Sequence, residues 1–166
     1  SLTGDYLFEP YIETDTIVIH QNQLQYTPKE GWIELTVGVL ENKGIYHAFN
    51  PSITVAEGAV LSLEEKFQGG TGVNLTPPPT TILSESATKK IKQMIQKTAR
   101  VLGIQNYARL DIFFNRFSEK MIVIEANTLP GLTPSTVIYH QGLAEEPSLT
   151  PLALLDKIIS SKLNRC

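Results

Sequence analysis

The chain has 166 residues, is 42% hydrophobic and 19% charged, and carries a formal net charge of −3. That is the make-up of one ordinary globular domain, long enough to bury roughly two thirds of its unfolded surface without disulfide or metal staples. No basic surplus points to a duplex-DNA binder, the lone Cys166 excludes an intrachain disulfide or a Cys-rich zinc centre and favours a reducing compartment, and apolar runs such as Ile122–Ile124 and Leu152–Leu155 are too short to span a membrane.

In chain order, Leu7–Ile12 is a short apolar segment carrying Glu9. Thr16–His20 reads as extended chain, because Ile17, Val18 and Ile19 are β-branched. Gln21–Gly31 is polar, contains Pro28, and reads as an exposed excursion. Trp32–Leu40 predicts a strand, with Trp32, Glu34, Thr36 and Gly38 alternating against Ile33, Leu35, Val37 and Val39. Asn42-Lys43-Gly44 is a turn, and Ile45–Phe49 predicts the returning strand. Leu61–Thr80 is rich in glycine and proline and reads as one long loop, either functional or a plain connector.

Ser84–Leu102 predicts a helix capped by Ser84 or Ser86 and ended by Gly103. Its apolar stripe is read as Ile91, Met94, Ile95, Thr98, Val101 and Leu102, and its lysines as a solvated face. Tyr107–Phe114 and Met121–Ala126 predict a hairpin. Asn127–Ser135 reads as a loop and Val137–Glu145 as a short helix. Thr150-Pro151 opens a final amphipathic helix through Leu152, Leu155, Ile158, Ile159 and Leu163.

The chemistry concentrates in the second hairpin. With a period of two, Arg109 and Asp111 share one strand face, and Glu125 and Asn127 share one face of the next. Leu110, Ile112, Ile122 and Ile124 are expected on the opposite side. A register pairing Asp111 with Glu125 also pairs Arg109 with Asn127, so four polar groups meet. Two facing carboxylates need a cation between them. Two acids and an amide oxygen are hard ligands suited to Mg²⁺ or Mn²⁺, which usually shares its shell with substrate phosphates. A solvated face with an Arg109 ion pair is the plain alternative. The following stretch, Thr128–Thr136, sets glycine, backbone amides and hydroxyls beside these residues, a segment able to bind a carboxylate or to serve as a turn and helix cap.

The runs Tyr107-Ala108-Arg109-Leu110-Asp111 and Ile124-Glu125-Ala126-Asn127-Thr128-Leu129-Pro130-Gly131-Leu132-Thr133-Pro134-Ser135-Thr136 resemble the C-terminal motifs of D-alanine–D-alanine ligases, members of the ATP-grasp superfamily. Glu34–Leu40 resembles that family's ribose-side strand, and Leu63–Phe67 the start of its omega loop. The resemblance implies an α+β fold, an ATP-grasp C-terminal lobe of mainly antiparallel sheet flanked by helices. It also implies that residues 1–166 are the C-terminal domain of a larger ligase, with the N-terminal domain and most of the central domain lying outside. The chain starts with Ser1 rather than Met, in keeping with a fragment or a processed product.

The resemblance further implies ATP and Mg²⁺ (or Mn²⁺) as cofactors, with Asp111, Glu125 and Asn127 as metal ligands. Arg109 and the backbone of Gly131 would contact the acyl phosphate and tetrahedral intermediate. Lys66 would reach the nucleotide phosphates, Glu34 the ribose, and Glu9–Ile12 the adenine. Ser135, Thr136 and Val137 would lie by the second substrate. Phe67 stands where dipeptide-forming members carry tyrosine, as in D-alanine–D-lactate ligases. The implied partners are D-alanine, ATP and the remaining ligase domains, without nucleic acid or membrane and with a homodimer open for the full-length enzyme. The implied place is the cytoplasm, or a plastid for a plant-type enzyme.

Three departures stand out. Thr136 or Ser135 replaces the family's usual serine, Pro10 follows Glu9 where a lysine is usual, and Glu13–Gly31 is an added excursion. The implied function is ATP-dependent ligation of two D-alanines through D-alanyl phosphate, for peptidoglycan precursors. The alternatives are a standalone non-catalytic nucleotide- or partner-binding fragment, and a D-alanine–D-lactate or other ATP-grasp carboxylate–amine ligase. The isolated chain is expected to fold without turning over.

Overall fold

The computed structural model describes residues 5–21, 23–55 and 73–163. Its centre is a four-stranded antiparallel sheet in the order β4-β3-β7-β8, formed by Ile45–Ala48 (β4), Trp32–Asn42 (β3), Tyr107–Asn115 (β7) and Met121–Asn127 (β8). The long strands β3 and β7 pair without interruption from Trp32↔Asn115 to Leu40↔Tyr107. Two small two-stranded antiparallel sheets accompany it: Thr16–His20 (β1) with Gln23–Thr27 (β2), and Ile53–Val55 (β5) with Val73–Leu75 (β6).

The period-two alternation decides what each sheet face does. Ile33, Leu35, Val37 and Val39 of β3 and Leu110, Ile112 and Phe114 of β7 are buried on one face. There they join Ala87, Ile91, Ile95 and Ala99 of helix α1, Glu85–Val101. On the opposite face the described residues roof one end. Leu40, Phe49 and Tyr107 pack with Ile138 and Tyr139 of α2 (Val137–Leu143) and Leu154 and Ile158 of α3 (Pro151–Leu163). Beyond that roof the same face carries Arg109 and Asp111 on β7 and Glu34 and Thr36 on β3.

Ser84 caps α1 through its hydroxyl, which accepts from Ala87 N at 3.2 Å, and Gly103 takes φ +66 just beyond the helix end. Thr150 Oγ1 accepts from Ala153 N at 3.2 Å and starts α3. Thr136 occupies the N-cap position of α2 with an extended backbone, but its side chain makes no cap hydrogen bond.

Four expectations are corrected. Gln21–Gly31 is largely exposed as expected but is more than an excursion: β2 lies in it, and Tyr26 packs on the core with Ile17 and Ile19. That hairpin is gathered by buried Asp15, which accepts from Tyr26 OH (2.6 Å), Lys29 N (2.8 Å) and Gly31 N (2.9 Å). The predicted loop Leu61–Thr80 contains β6 where its residues are described, because Val73–Leu75 find a partner in β5. The buried stripe of α1 holds Ile91 and Ile95 as predicted but continues through Ala87 and Ala99, with Met94 and Thr98 half-buried and Val101 and Leu102 exposed. In α3 Ile158 is buried and Leu155 packs half-buried against the core as predicted, but Leu154 and Ser161 complete the buried set and Leu152, Ile159 and Leu163 are exposed. In α1 the small residues Ala87 and Ala99 make the close approach to the sheet that Val101 and Leu102 were expected to make.

Candidate functional site

Strands β7 and β8 pair Arg109↔Asn127, Leu110↔Ala126 and Asp111↔Glu125, then shift so that Ile112 faces Val123. Ile124 is the extra residue of that bulge. Paired residues share a face, so Arg109, Asp111, Glu125 and Asn127 come together as the alternation predicts. The bulge changes the parity beyond it: Ile122 faces Phe113 and lies on the Asp111 side, not on the opposite side as expected. One inserted residue thus lets Glu125 meet Asp111 while Val123 and Met121 still pair with core residues Ile112 and Phe114.

Within this face Arg109 Nη2 donates to Asp111 Oδ2 at 3.1 Å and lies 3.8 Å from Glu125 Oε1. Arg109 Nε is buried and has no hydrogen-bond partner among the described residues. Thr36 Oγ1 donates to Asp111 Oδ1 at 2.7 Å, so the neighbouring strand fixes the carboxylate's orientation. Asn127 Oδ1 accepts from Leu129 N at 3.1 Å and shapes the first turn of the loop. Glu125 is well exposed, with 58% of its side chain accessible, against 15% for Asp111. The array is a shielded carboxylate, an open one, an amide oxygen and a guanidinium, the donor types that hold a hard divalent cation next to an anion.

Two tyrosines that sequence reasoning gave no role hold the following loop. Tyr107 OH reaches Pro130 O at 3.5 Å, and Tyr139 OH donates to Leu132 O at 3.3 Å, one on each side of Gly131. Burial, followed by the proximity of Tyr139, raises the Tyr107 phenol above its ordinary pKa, which keeps it a donor. A Cβ on Gly131 would meet nothing within 4 Å among the described residues, so no packing among them requires glycine there. The backbone is open to close approach by a ligand.

Glu34 lies on the same sheet face, opposite Phe113 and two residues from Thr36. Ser135 is exposed, and Thr136 and Val137 lead into α2. Glu9 and Ile12 lie in irregular chain leading to Asp15, whose N–H donates to Trp32 O at 2.7 Å; no described contact brings them to the acidic pair. Lys66 and Phe67 lie outside the described residues. No helix among the described residues is long and apolar enough to cross a membrane.

Comparison with known proteins follows the same outline. The family model for the D-ala D-ala ligase C-terminus matches residues 22–160. The chain belongs to this family. Its D-alanine–D-alanine ligase relative from Lacticaseibacillus casei is 32% identical over 140 residues, covering 84% of this chain and 35% of the relative. The solved D-alanine–D-alanine ligase from Coxiella burnetii superposes with a TM-score of 0.57 at 26% identity, over 86% of this chain and 35% of that one. The VanG D-Ala:D-Ser ligase from Enterococcus faecalis superposes with a TM-score of 0.59 at 19% identity, over 81% of this chain and 37% of that one, a likeness of fold. The ligase-family chain therefore has the expected ATP-grasp C-terminal lobe, and it spans about a third of the length of these relatives. They are bacterial, and nothing in them supports a plastid location.

Proposed function

We propose that this chain is the ATP- and metal-binding C-terminal domain of a D-alanine–D-alanine ligase, acting with an N-terminal domain and most of a central domain that lie outside it. The supporting observation is the β7–β8 register, which sets Asp111 against Glu125 and Arg109 against Asn127. The donor set fits a divalent cation: two carboxylates and an amide oxygen, one carboxylate already oriented by Thr36. Asp111, Glu125 and Asn127 would hold Mg²⁺ or Mn²⁺. When bound, the metal neutralises charge on the ATP phosphates during phosphoryl transfer.

The chain's own residues do the rest. Arg109, with a buried Nε that lacks a partner among the described residues, offers positive charge to the acyl phosphate and then to the developing oxyanion. The Gly131 backbone, held by Tyr107 and Tyr139 through its neighbours, lies open to the same group. Glu34 accepts from the ribose hydroxyls, the segment Glu9–Ile12 runs along the adenine, and Lys66 reaches the phosphates. Ser135, Thr136 and Val137 face the carboxylate of the second D-alanine, and Phe67 bears on which nucleophile is taken. The product would be D-alanyl-D-alanine for peptidoglycan precursors, made in the cytoplasm.

The test is phosphate release by the full-length protein with ATP, Mg²⁺ and D-alanine, with product identified by mass. D-serine and D-lactate serve as competing second substrates. D-alanine-dependent phosphate release with dipeptide formation is expected. Release that ignores D-alanine would overturn the reading.

A further inference from the structure

Gln141 is fully buried on α2, and all its polar atoms are engaged by strand β3 and the segment beside it. Its Oε1 accepts from Gly38 N at 2.8 Å, and its Nε2 donates to Thr36 O at 2.8 Å and to Ser52 Oγ at 3.0 Å. Next to these bonds the returning chain leaves the edge of β3. Phe49 N donates to Gly38 O and Ser52 N donates to Thr36 O, with Asn50-Pro51 between them. In a continuous ladder Gly38 N would bond back to Phe49. The Gln141 carboxamide takes that place instead.

The strand is shaped to receive it. A Cβ on Gly38 would stand 2.7 Å from Gln141 Oε1, 2.9 Å from Phe49 Cδ2 and 3.0 Å from Ile138 Cγ1. The amide therefore needs glycine at 38, and glycine there leaves a slot that the amide fills.

This junction touches both halves of the candidate site. Thr36, whose carbonyl accepts from Gln141, donates through its hydroxyl to Asp111 at 2.7 Å. The helix carrying Gln141 begins at Val137, directly after the loop of Gly131 and Thr136. The β3–β7–β8 ladder is hydrogen-bonded independently of Gln141, so the metal side of the site holds itself together. The loop side depends on how α2 sits against β3. We infer that Gln141 is a positioning residue that locks the substrate loop, through α2, in fixed relation to the Asp111 side of the site. The inference rests on the proposed ligase reading for its kinetic consequence but not for its structural one.

Two measurements on the full-length protein test it, comparing wild type with Gln141→Met and Gly38→Ala. The Met variant keeps the volume and loses the amide; the Ala variant presses on the same junction from the strand. In amide hydrogen exchange, α2 and residues 133–136 should open about tenfold faster while the β3–β7 ladder is unchanged. In kinetics, KM for the second D-alanine should rise about tenfold with KM for ATP within about twofold, a split that general loss of folded enzyme does not produce. Uniformly faster exchange, no change in exchange, or an equal loss across all substrates would overturn the inference. If the wild type shows no D-alanine-dependent phosphate release, the ligase reading fails, and the exchange pattern alone decides the role of Gln141. Should the Met variant not fold, Ser52→Ala removes one of the three bonds without burying a charge and should give the same exchange pattern in weaker form.

Discussion

Asp111 faces Glu125 directly across strands β7 and β8, with Arg109 Nη2 3.1 Å from the first carboxylate and 3.8 Å from the second. Adjacent like charges on a sheet repel, and the guanidinium offsets this. Because Glu125 is largely exposed, solvent screens the pair and the offset is about 1 kcal/mol. Arg109→Leu should lower stability by that amount in metal-free buffer at neutral pH, and millimolar Mg²⁺ should stabilise the variant more than the wild type. Chemical denaturation with and without the metal checks it. Equal Mg²⁺ responses would mean that the carboxylates are not the cation's site.

Glu125→Gln removes the charge of the exposed carboxylate and leaves its size. In the full-length protein, phosphate release should drop about 100-fold or more, with folding unaffected at so open a position. A rate close to wild type would take Glu125 out of the metal set.

The register of the hairpin was not readable, but it was legible that pairing Asp111 with Glu125 also gathers Arg109 and Asn127, because strand alternation needs no knowledge of the rest of the fold. Arg109 and Asp111 are two apart, as are Glu125 and Asn127, and any register that aligns one pair aligns the other. The bulge at Ile124 was not legible. It depends on Ile112 preferring Val123 as a partner, a tertiary choice with no local signature, and so Ile122 was assigned to the wrong face. The helix stripes show a related limit. Hydrophobicity alone favours Val101 and Leu102 over Ala87 and Ala99, yet the small residues are the ones that let α1 approach the sheet. Gln141 was equally silent, since a lone glutamine in a short helix gives no hint that the strand opposite has left a peptide N–H unpaired.

Gly31 has φ +82, and a Cβ placed on it would run into the Phe117 ring. Phe117 is an exposed ring with room to turn away, so the backbone conformation should dominate the cost of a substitution. Gly31→Ala is expected to destabilise the chain by about 1–2 kcal/mol. Adding Phe117→Ala should recover little of it. Urea denaturation of the two single variants and the double variant separates the contributions. Full recovery in the double variant would mean that the ring, not the backbone, sets the cost.

Glu145 ties the end of α2 to two other elements. Its carboxylate accepts from Asn50 N at 2.8 Å and from Lys92 Nζ at 3.0 and 3.1 Å, and it lies 2.9 Å from His47 Nε2. Burial by itself would raise its pKa. The hydrogen bond with His47, then Lys92 and the Asn50 amide, outweigh that effect and hold the carboxyl below its ordinary value. A carboxyl with a lowered folded-state pKa stabilises the fold above its unfolded value of about 4.3, and that stabilisation disappears as pH falls through the folded value. Glu145→Gln should therefore cost about 1–2 kcal/mol at neutral pH, the deficit of one charged hydrogen-bonding partner. The gap between variant and wild type should be present above the unfolded value of about 4.3 and close as pH falls through the lower folded value. Urea denaturation across that range measures it. A deficit that persists undiminished in acid would assign the effect to the shape of the carboxamide rather than to the lost charge.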